Sequence, residues 1–196
     1  RTAGSAGLGL WLSGSAEGDR EVQHAAEHAF DWLVSRQSPR GGYAEIQNLE
    51  RPADWERTGL EELSTIATGF AVHGLGQALL AGLPPKRSYM DCLQRAALWQ
   101  LGLEWPAASG VFPHHERSPH NTLNANLHAA ETMGLAYRVL HAVYDRPVAI
   151  FLAGAQRAVR RTLGCQTEDG GFPYRDSGGI TINYTSLVLW CLLNLL

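Results

Sequence analysis

The sequence is poor in cysteine, in surplus positive charge and in long apolar runs, and each shortage removes a class of protein. Cys92, Cys165 and Cys191 are the three cysteines among 196 residues, an odd number with no Cys-x-x-Cys pair. That argues against a disulfide scaffold and against a cysteine-rich zinc site; each is expected to be a small buried apolar side chain. Sixteen Lys and Arg stand against nineteen Asp and Glu, for a net charge of −3 and a pI near 6.2. Such a balance leaves no electrostatic footprint for nucleic acid or for an anionic membrane surface. No run of eighteen apolar residues occurs, and no charged start leads into an apolar stretch, so neither a membrane span nor a leader is read. The chain begins with Arg1 rather than methionine and stops on the apolar "CLLNLL". Residues beyond at least one end are therefore expected, and the address of the protein is left open.

What is present describes one ordinary soluble globular domain: 45% apolar and 18% charged residues, enough to bury a sizeable core. Internal repeats organise it. Three eleven-residue blocks align without gaps: "EHAFDWLVSRQ" from Glu27, "QRAALWQLGLE" from Gln94 and "QRAVRRTLGCQ" from Gln156. Alanine stands third in each (Ala29, Ala96, Ala158), a small residue ninth (Ser35, Gly102, Gly164), and Gln37, Glu104 or Gln166 closes the block. A turn and an aromatic follow every time, as "GGY" at 41–43, "GVF" at 110–112 and "GGF" at 170–172.

Each turn leads into a second, more apolar run: residues 61–82, 122–144 and 181–196, with 2–14 as the end of a similar one. Gly14 and Gly82 are read as helix stops. "TGLE" from Thr58 matches a capping box and places a helix start near 59. The expectation is seven helices, three amphipathic and four nearly all apolar, in repeats of roughly 19–82, 86–144 and 147–196 within a single unit. A helix apolar on most sides must be covered on most sides, whereas a one-faced helix lies at the surface. Alternation of the two gives inner and outer layers of a hairpin array.

The pattern of outer helix, Gln, spacer and Gly-Gly-aromatic resembles the repeat of the terpenoid cyclase and protein prenyltransferase superfamily. It is carried by "QSPRGGY", "QTEDGGF" and, in degraded form, "EWPAASGVF". The resemblance implies an all-α fold of α/α-toroid type, here with fewer hairpins than a closed ring holds. A partial ring, completed by further residues or by a second chain, is the expectation. In that superfamily the glutamine and the aromatic are structural, tying an outer helix to its neighbour. The Asp-x-Asp-Asp cluster of class II cyclases is absent, and Asp91-Cys92 is no match for the zinc-binding pair of prenyltransferases. The repeats are also similar to α/α-toroid lyases and epimerases of polysaccharide pathways.

In such toroids the cavity mouth is ringed by the loops entering the inner helices, whose N-terminal amides suit anionic groups. The richest of these loops, "FPHHERSPHNTLNANLH" at 112–128, holds four of the eight histidines, side chains suited to proton transfer near neutral pH. Asn126 and His128 enter an otherwise apolar helix, where amide and imidazole must be hydrogen-bonded. Capping by Asn121 or Thr122 and a satisfied core pair would account for them equally. The last repeat's loop, "FPYRDSGGITINYT", adds Tyr174, Arg175, Asp176 and Tyr184. A uronate lyase needs a group to neutralise the carboxylate, a base for the C5 proton and an acid for the leaving oxygen. His128 and Tyr184 are assigned as base or acid, with Asn126 and Arg175 holding the carboxylate. His115, Glu116, His120, Tyr174, Asp176 and Trp55 are assigned to substrate binding, Trp55 as a stacking platform on the loop 44–59. Packing of both tyrosines and a solvated Arg175–Asp176 pair is the plainer alternative.

His114, His115 and His120 match no helical ligand spacing, so no metal is expected, and no cofactor is implied. Trp11, Phe70, His73, Tyr137 and Trp190 fall in inner helices, where a terpenoid cyclase would use aromatic faces to stabilise carbocations; such aromatics are more often plain core. The readings are therefore a polysaccharide lyase or epimerase acting on an oligosaccharide, a terpenoid-cyclase-like protein, or a non-catalytic binding module.

Overall fold

The computed structural model describes residues 2–44, 62–117, 121–145, 148–174, 179–193 and 195. Among them are seven helices and two very short strands: α1 (Thr2–Glu17), α2 (Arg20–Ser35), β1 (Tyr43–Ala44), β2 (Leu63–Ser64), α3 (Thr65–Leu80), α4 (Arg87–Gly102), α5 (Leu123–Tyr144), α6 (Ala149–Leu163) and α7 (Ile182–Leu193). The all-α class is as expected. The odd-numbered helices pack in chain order, α1 on α3, α3 on α5 and α5 on α7; α2, α4 and α6 form a second layer over them.

Burial follows that layering. Along α2 only Ala26, Phe30 and Leu33 are buried, one stripe of an amphipathic surface helix. In α3 burial runs almost all the way round, from Thr65 through Ala71, Leu75 and Leu79. Inner helices approach one another through glycine. A Cβ on Gly74 of α3 would stand 2.0 Å from the Gly4 carbonyl oxygen of α1, and one on Gly69 would stand 2.6 Å from His128 Cβ of α5. No other residue fits either crossing.

The repeated turn is a structural joint. Gln37 at the end of α2 donates to Gly41 O (2.7 Å) and to Cys92 O of α4 (2.9 Å), and accepts from Arg95 (2.6 Å). Glu104, after α4, takes Gly110 N–H (2.8 Å) and two bonds from Arg157 of α6 (2.8 and 2.6 Å). Tyr43, Phe112 and Phe172, the turn aromatics, are all buried. Each donates its backbone N–H to the fourth residue of the next inner helix: Thr68 Oγ1 (2.9 Å), Asn126 Oδ1 (2.8 Å) and Thr185 Oγ1 (3.1 Å). These three bonds set α3, α5 and α7 in one register.

Two expectations need correction. Gly14 is not a stop: α1 runs to Glu17 and ends at Gly18, whose φ is +69°. A Cβ on Gly14 would lie 2.9 Å from Gln23 N, so this glycine serves the α1–α2 crossing. The helix placed near 59 begins at Thr65, because Leu63–Ser64 pair with Tyr43–Ala44 as an antiparallel ribbon. Ser64 Oγ is the cap, accepting from Ala67 N–H at 3.2 Å. Thr58 lies outside the described residues. Bridges from Ser64 to His115, from Pro113 to Asn121 and from Pro173 to Ile180 extend this rim along the starts of the inner helices.

Candidate functional site

The common register places the ninth residues of α3, α5 and α7 at one level, and these are His73, Glu131 and Trp190. His73 Nδ1 meets Glu131 Oε1 at 2.5 Å. His128, one turn earlier on α5, brings its Nδ1 to 3.7 Å from Glu131 Oε2, a charge contact too long for a hydrogen bond. Phe70 lies against the His128 ring with centroids 4.6 Å apart, and Trp190 stands 6.2 Å from both Phe70 and His73. One carboxylate thus sits between two imidazoles, under an aromatic roof.

The cluster is deep on one side and open on the other. Side-chain exposure is 2% for Glu131 and 1% for His128, but 16% for His73. Burial by itself would push the Glu131 carboxyl up; the contacts and charge of His128 and His73 outweigh it and hold the group below the usual carboxylate range. The neighbouring Cys191 thiol is pushed up to about 12 by burial, with the Glu131 charge adding to it. Neither ring nitrogen of His128 has a hydrogen-bond partner among the described residues. A buried polar group left so costs about 1–3 kcal/mol, an expense that folds accept most readily at working sites.

Below Glu131 on the same stripe of α5 come Gly134 and Arg138, three and seven residues on. A Cβ on Gly134 would meet Leu195 Cδ2 at 4.0 Å, an ordinary contact, so the helix surface is uncrowded there. Arg138 is exposed and makes no hydrogen bond or ion pair among the described residues. Its guanidinium, two turns from Glu131, has the fork geometry that binds a carboxylate.

The residues expected from sequence are distributed differently. His128 belongs to the cluster just described. Asn126 is wholly buried; its Oδ1 accepts Phe112 N–H in the repeat joint, and its Nδ2 has no hydrogen-bond partner among the described residues. The Tyr184 hydroxyl accepts Asn124 N–H (3.0 Å) and donates to Asn124 Oδ1 (3.1 Å), and burial pushes this phenol up to about 12. No hydrogen bond or ring contact joins His128, Asn126 and Tyr184 to one another among the described residues. Tyr174 is 43% exposed and packs edge-on against Tyr184 at 4.9 Å. His115 stacks on His114 at 4.3 Å, and Glu116 receives Arg40 on both carboxylate oxygens at 2.7 Å, pinning one rim loop to another. Trp55, His120, Arg175 and Asp176 lie outside the described residues.

Sequence reading passes over Glu131 and Arg138 and meets His73 only as one ring among several. The signal was a single carboxylate within the otherwise apolar "HAAETMGLAY", a placement that demands a partner. Among the described residues no group of three His, Cys, Asp or Glu is arranged to hold a metal ion, and no helix is long and apolar enough to cross a membrane. A separate groove of about 390 Å³ lies between α4 and the end of α5, beside Asp91, Gln94 and Tyr144, and holds none of the cluster. No family model matches the chain, and no curated protein matches it in sequence.

Proposed function

We propose that the two-layered array is of α/α-toroid type and that its inner face removes the proton next to the carboxylate of a uronate-containing polysaccharide. That step is shared by lyases and epimerases. The observation that carries the reading is the 2.5 Å His73–Glu131 contact, with the carboxylate buried and the imidazole reaching solvent. A buried carboxylate accepting from Nδ1–H fixes the tautomer of an imidazole and leaves Nε2 as the working base. His73 is the general base in this scheme, Glu131 its positioning residue, and His128 the second partner that keeps Glu131 ionised.

The C5 proton passes to His73 Nε2, and its electron pair spreads into the substrate carboxyl group, whose added charge Arg138 offsets. For elimination, the pair forms the C4–C5 double bond as the C4–O bond breaks. The departing oxygen takes a proton from water, and the proton held by His73 passes to the resulting hydroxide. For epimerisation, water delivers a proton to C5 from the other face and the hydroxide left behind takes the proton held by His73. Trp190, 41% exposed beside the cluster, offers a sugar-stacking platform. Tyr184, with its raised phenol, stays protonated at neutral pH and is a donor rather than a base.

A terpenoid-cyclase-like reading draws on the stacked Phe70 and Trp190 rings. It requires an initiating acid protonated at working pH, and Glu131, held below its usual range, is not that acid. The test is incubation with a panel of uronate polymers, following unsaturated ends by ultraviolet absorbance and epimerised residues by NMR. Wild-type turnover that is lost in His73→Ala, with a raised KM in Arg138→Ala, is expected. Absence of either product with every polymer would overturn the reading in favour of a cyclase-like or non-catalytic one.

A further inference from the structure

The joint between successive repeats is made twice inside the chain, and among the described residues each half of a third joint lies open at opposite ends of the helical array. In the first joint, a Cβ on Gly41 would stand 2.4 Å from Arg95 O and 3.0 Å from Trp99 Cβ, and one on Gly42 would stand 2.9 Å from the Trp99 ring. In the second, a Cβ on Gly110 would stand 2.4 Å from Arg157 O and 3.0 Å from Arg161 Cβ. Arg95 and Arg157 are the second residues of their eleven-residue blocks, and Trp99 and Arg161 the sixth. The rule of the joint is plain: a glycine turn receives the second and sixth residues of the next outer helix, and the closing Gln or Glu binds the second.

Among the described residues the third turn has received no outer helix: a Cβ on Gly171 would meet only its own loop, Ile180 Cγ2 at 2.7 Å. The nearest atom to a Cβ on Gly170 is its own Gln166 Nε2, at 3.9 Å. Gln166 is exposed where its counterpart Gln37 is buried, and its Oε1 accepts no bond among the described residues. Ile182 is 85% exposed, although Thr65 and Leu123, the first residues of the two preceding inner helices, are fully buried. At the other end, α2 carries His28 and Trp32 as second and sixth residues of its block, both exposed, with no glycine turn packed against them among the described residues. Trp32 is 51% exposed, whereas Trp99 is covered by Gly42. Leu12 of α1 and Leu189 and Leu193 of α7 are exposed apolar side chains on the two end helices of the inner layer.

We propose that these two ends are a matched pair and that a second copy of this chain docks head to tail. Trp32 of one copy lies on the Gly170–Gly171 turn of the other, and His28 donates to Gln166 Oε1. Two copies joined this way at both ends close into a ring; an unclosed rotation extends into a chain of copies. The contact is heterologous, so each face is damaged independently. The interface repeats the plan of those that already hold α2 to α4 and α4 to α6: a hydrogen-bond donor second in the block (Arg95, Arg157, here His28) and a large side chain sixth (Trp99, Arg161, here Trp32).

Sedimentation velocity on the 196-residue chain over a wide range of concentration tests this, with Trp32→Ala and Ile182→Asp as variants at exposed positions. Wild type is expected to associate, and each variant alone to be monomeric with an unchanged helical circular dichroism signal. An equimolar mixture of the two retains one intact joint and is expected to form a one-to-one heterodimer. Should either variant lose helical signal, Gln166→Ala takes its place, with association weakened severalfold. A wild type that stays monomeric at every concentration would overturn the proposal and leave the two faces to other chain segments or other proteins. A mixture that stays monomeric, or variants that associate as wild type does, would overturn it too.

Discussion

Glu131 and His128 illustrate how two buried polar residues on one helix can be satisfied to different degrees. Glu131 is satisfied by His73, while His128 has both ring nitrogens unpartnered among the described residues and fills a place where α3 has Phe70 and α7 has Leu187. Replacing His128 with leucine removes the cost of those nitrogens but also the contact that helps hold Glu131 ionised. The melting temperature should therefore change little while activity on the proposed substrate falls; a large drop in both would mean the imidazole is part of the fold. Acid should act through carboxylates held low. Burial would raise the Glu104 carboxyl, but two bonds from Arg157, the Gly110 amide and the Arg157 charge overcome it. A depressed carboxyl contributes stability above its ordinary 4.5 and loses it as pH falls through the folded value. Glu104→Gln is accordingly expected to melt lower than wild type at neutral pH, by the equivalent of about 1.5–3 kcal/mol for bonds to a charged group. The gap should narrow steadily in melts taken below pH 4.5.

At the scale of the elements, the joints between helices were legible in the sequence and the crossings were not. Gln37 and Glu104 close their blocks at fixed positions, and each finds the second residue of the next block, Arg95 or Arg157, because the repeat sets both chemistry and distance. The fourth-residue acceptors Thr68, Asn126 and Thr185 differ in type, so the register they impose shows only in three dimensions. That register is what brings His73 and Glu131 together from helices that sequence inspection treats separately. Gly14 was misjudged for a related reason: a glycine at a helix crossing and a glycine at a helix end look alike in one dimension. Gly74 is the sharpest such crossing, with a Cβ position 2.0 Å from Gly4 O. Gly74→Val should destabilise by about 2–4 kcal/mol through forced separation of α1 and α3, read from urea unfolding. A loss below 0.5 kcal/mol, the range of neutral surface changes, would show that the helices part easily.

For the whole molecule, alternation of amphipathic and all-round apolar helices was enough to anticipate seven helices in two layers, because burial on many sides leaves a mark on composition. It did not reveal which residues of the apolar helices face the open side, since one carboxylate and one imidazole barely alter the apolar character of a sixteen- or twenty-two-residue helix. The cluster proposed as the working site lies lower than the rim loops, at the ninth residues of the inner helices, while the rim residues Glu116, Asn126 and Tyr184 make ties between loops and helix starts. The central claim is that His73, steadied by Glu131, removes a proton from the carbon beside a uronate carboxyl. Its most direct measurement is NMR of a uronate oligosaccharide incubated with the protein in deuterated water. Wild type is predicted to replace hydrogen by deuterium at C5 or to consume that hydrogen in elimination, with Glu131→Gln slowed about a hundredfold or more and His73→Ala inert. A C5 signal unchanged by wild type, or lost equally fast with His73→Ala, would contradict the account.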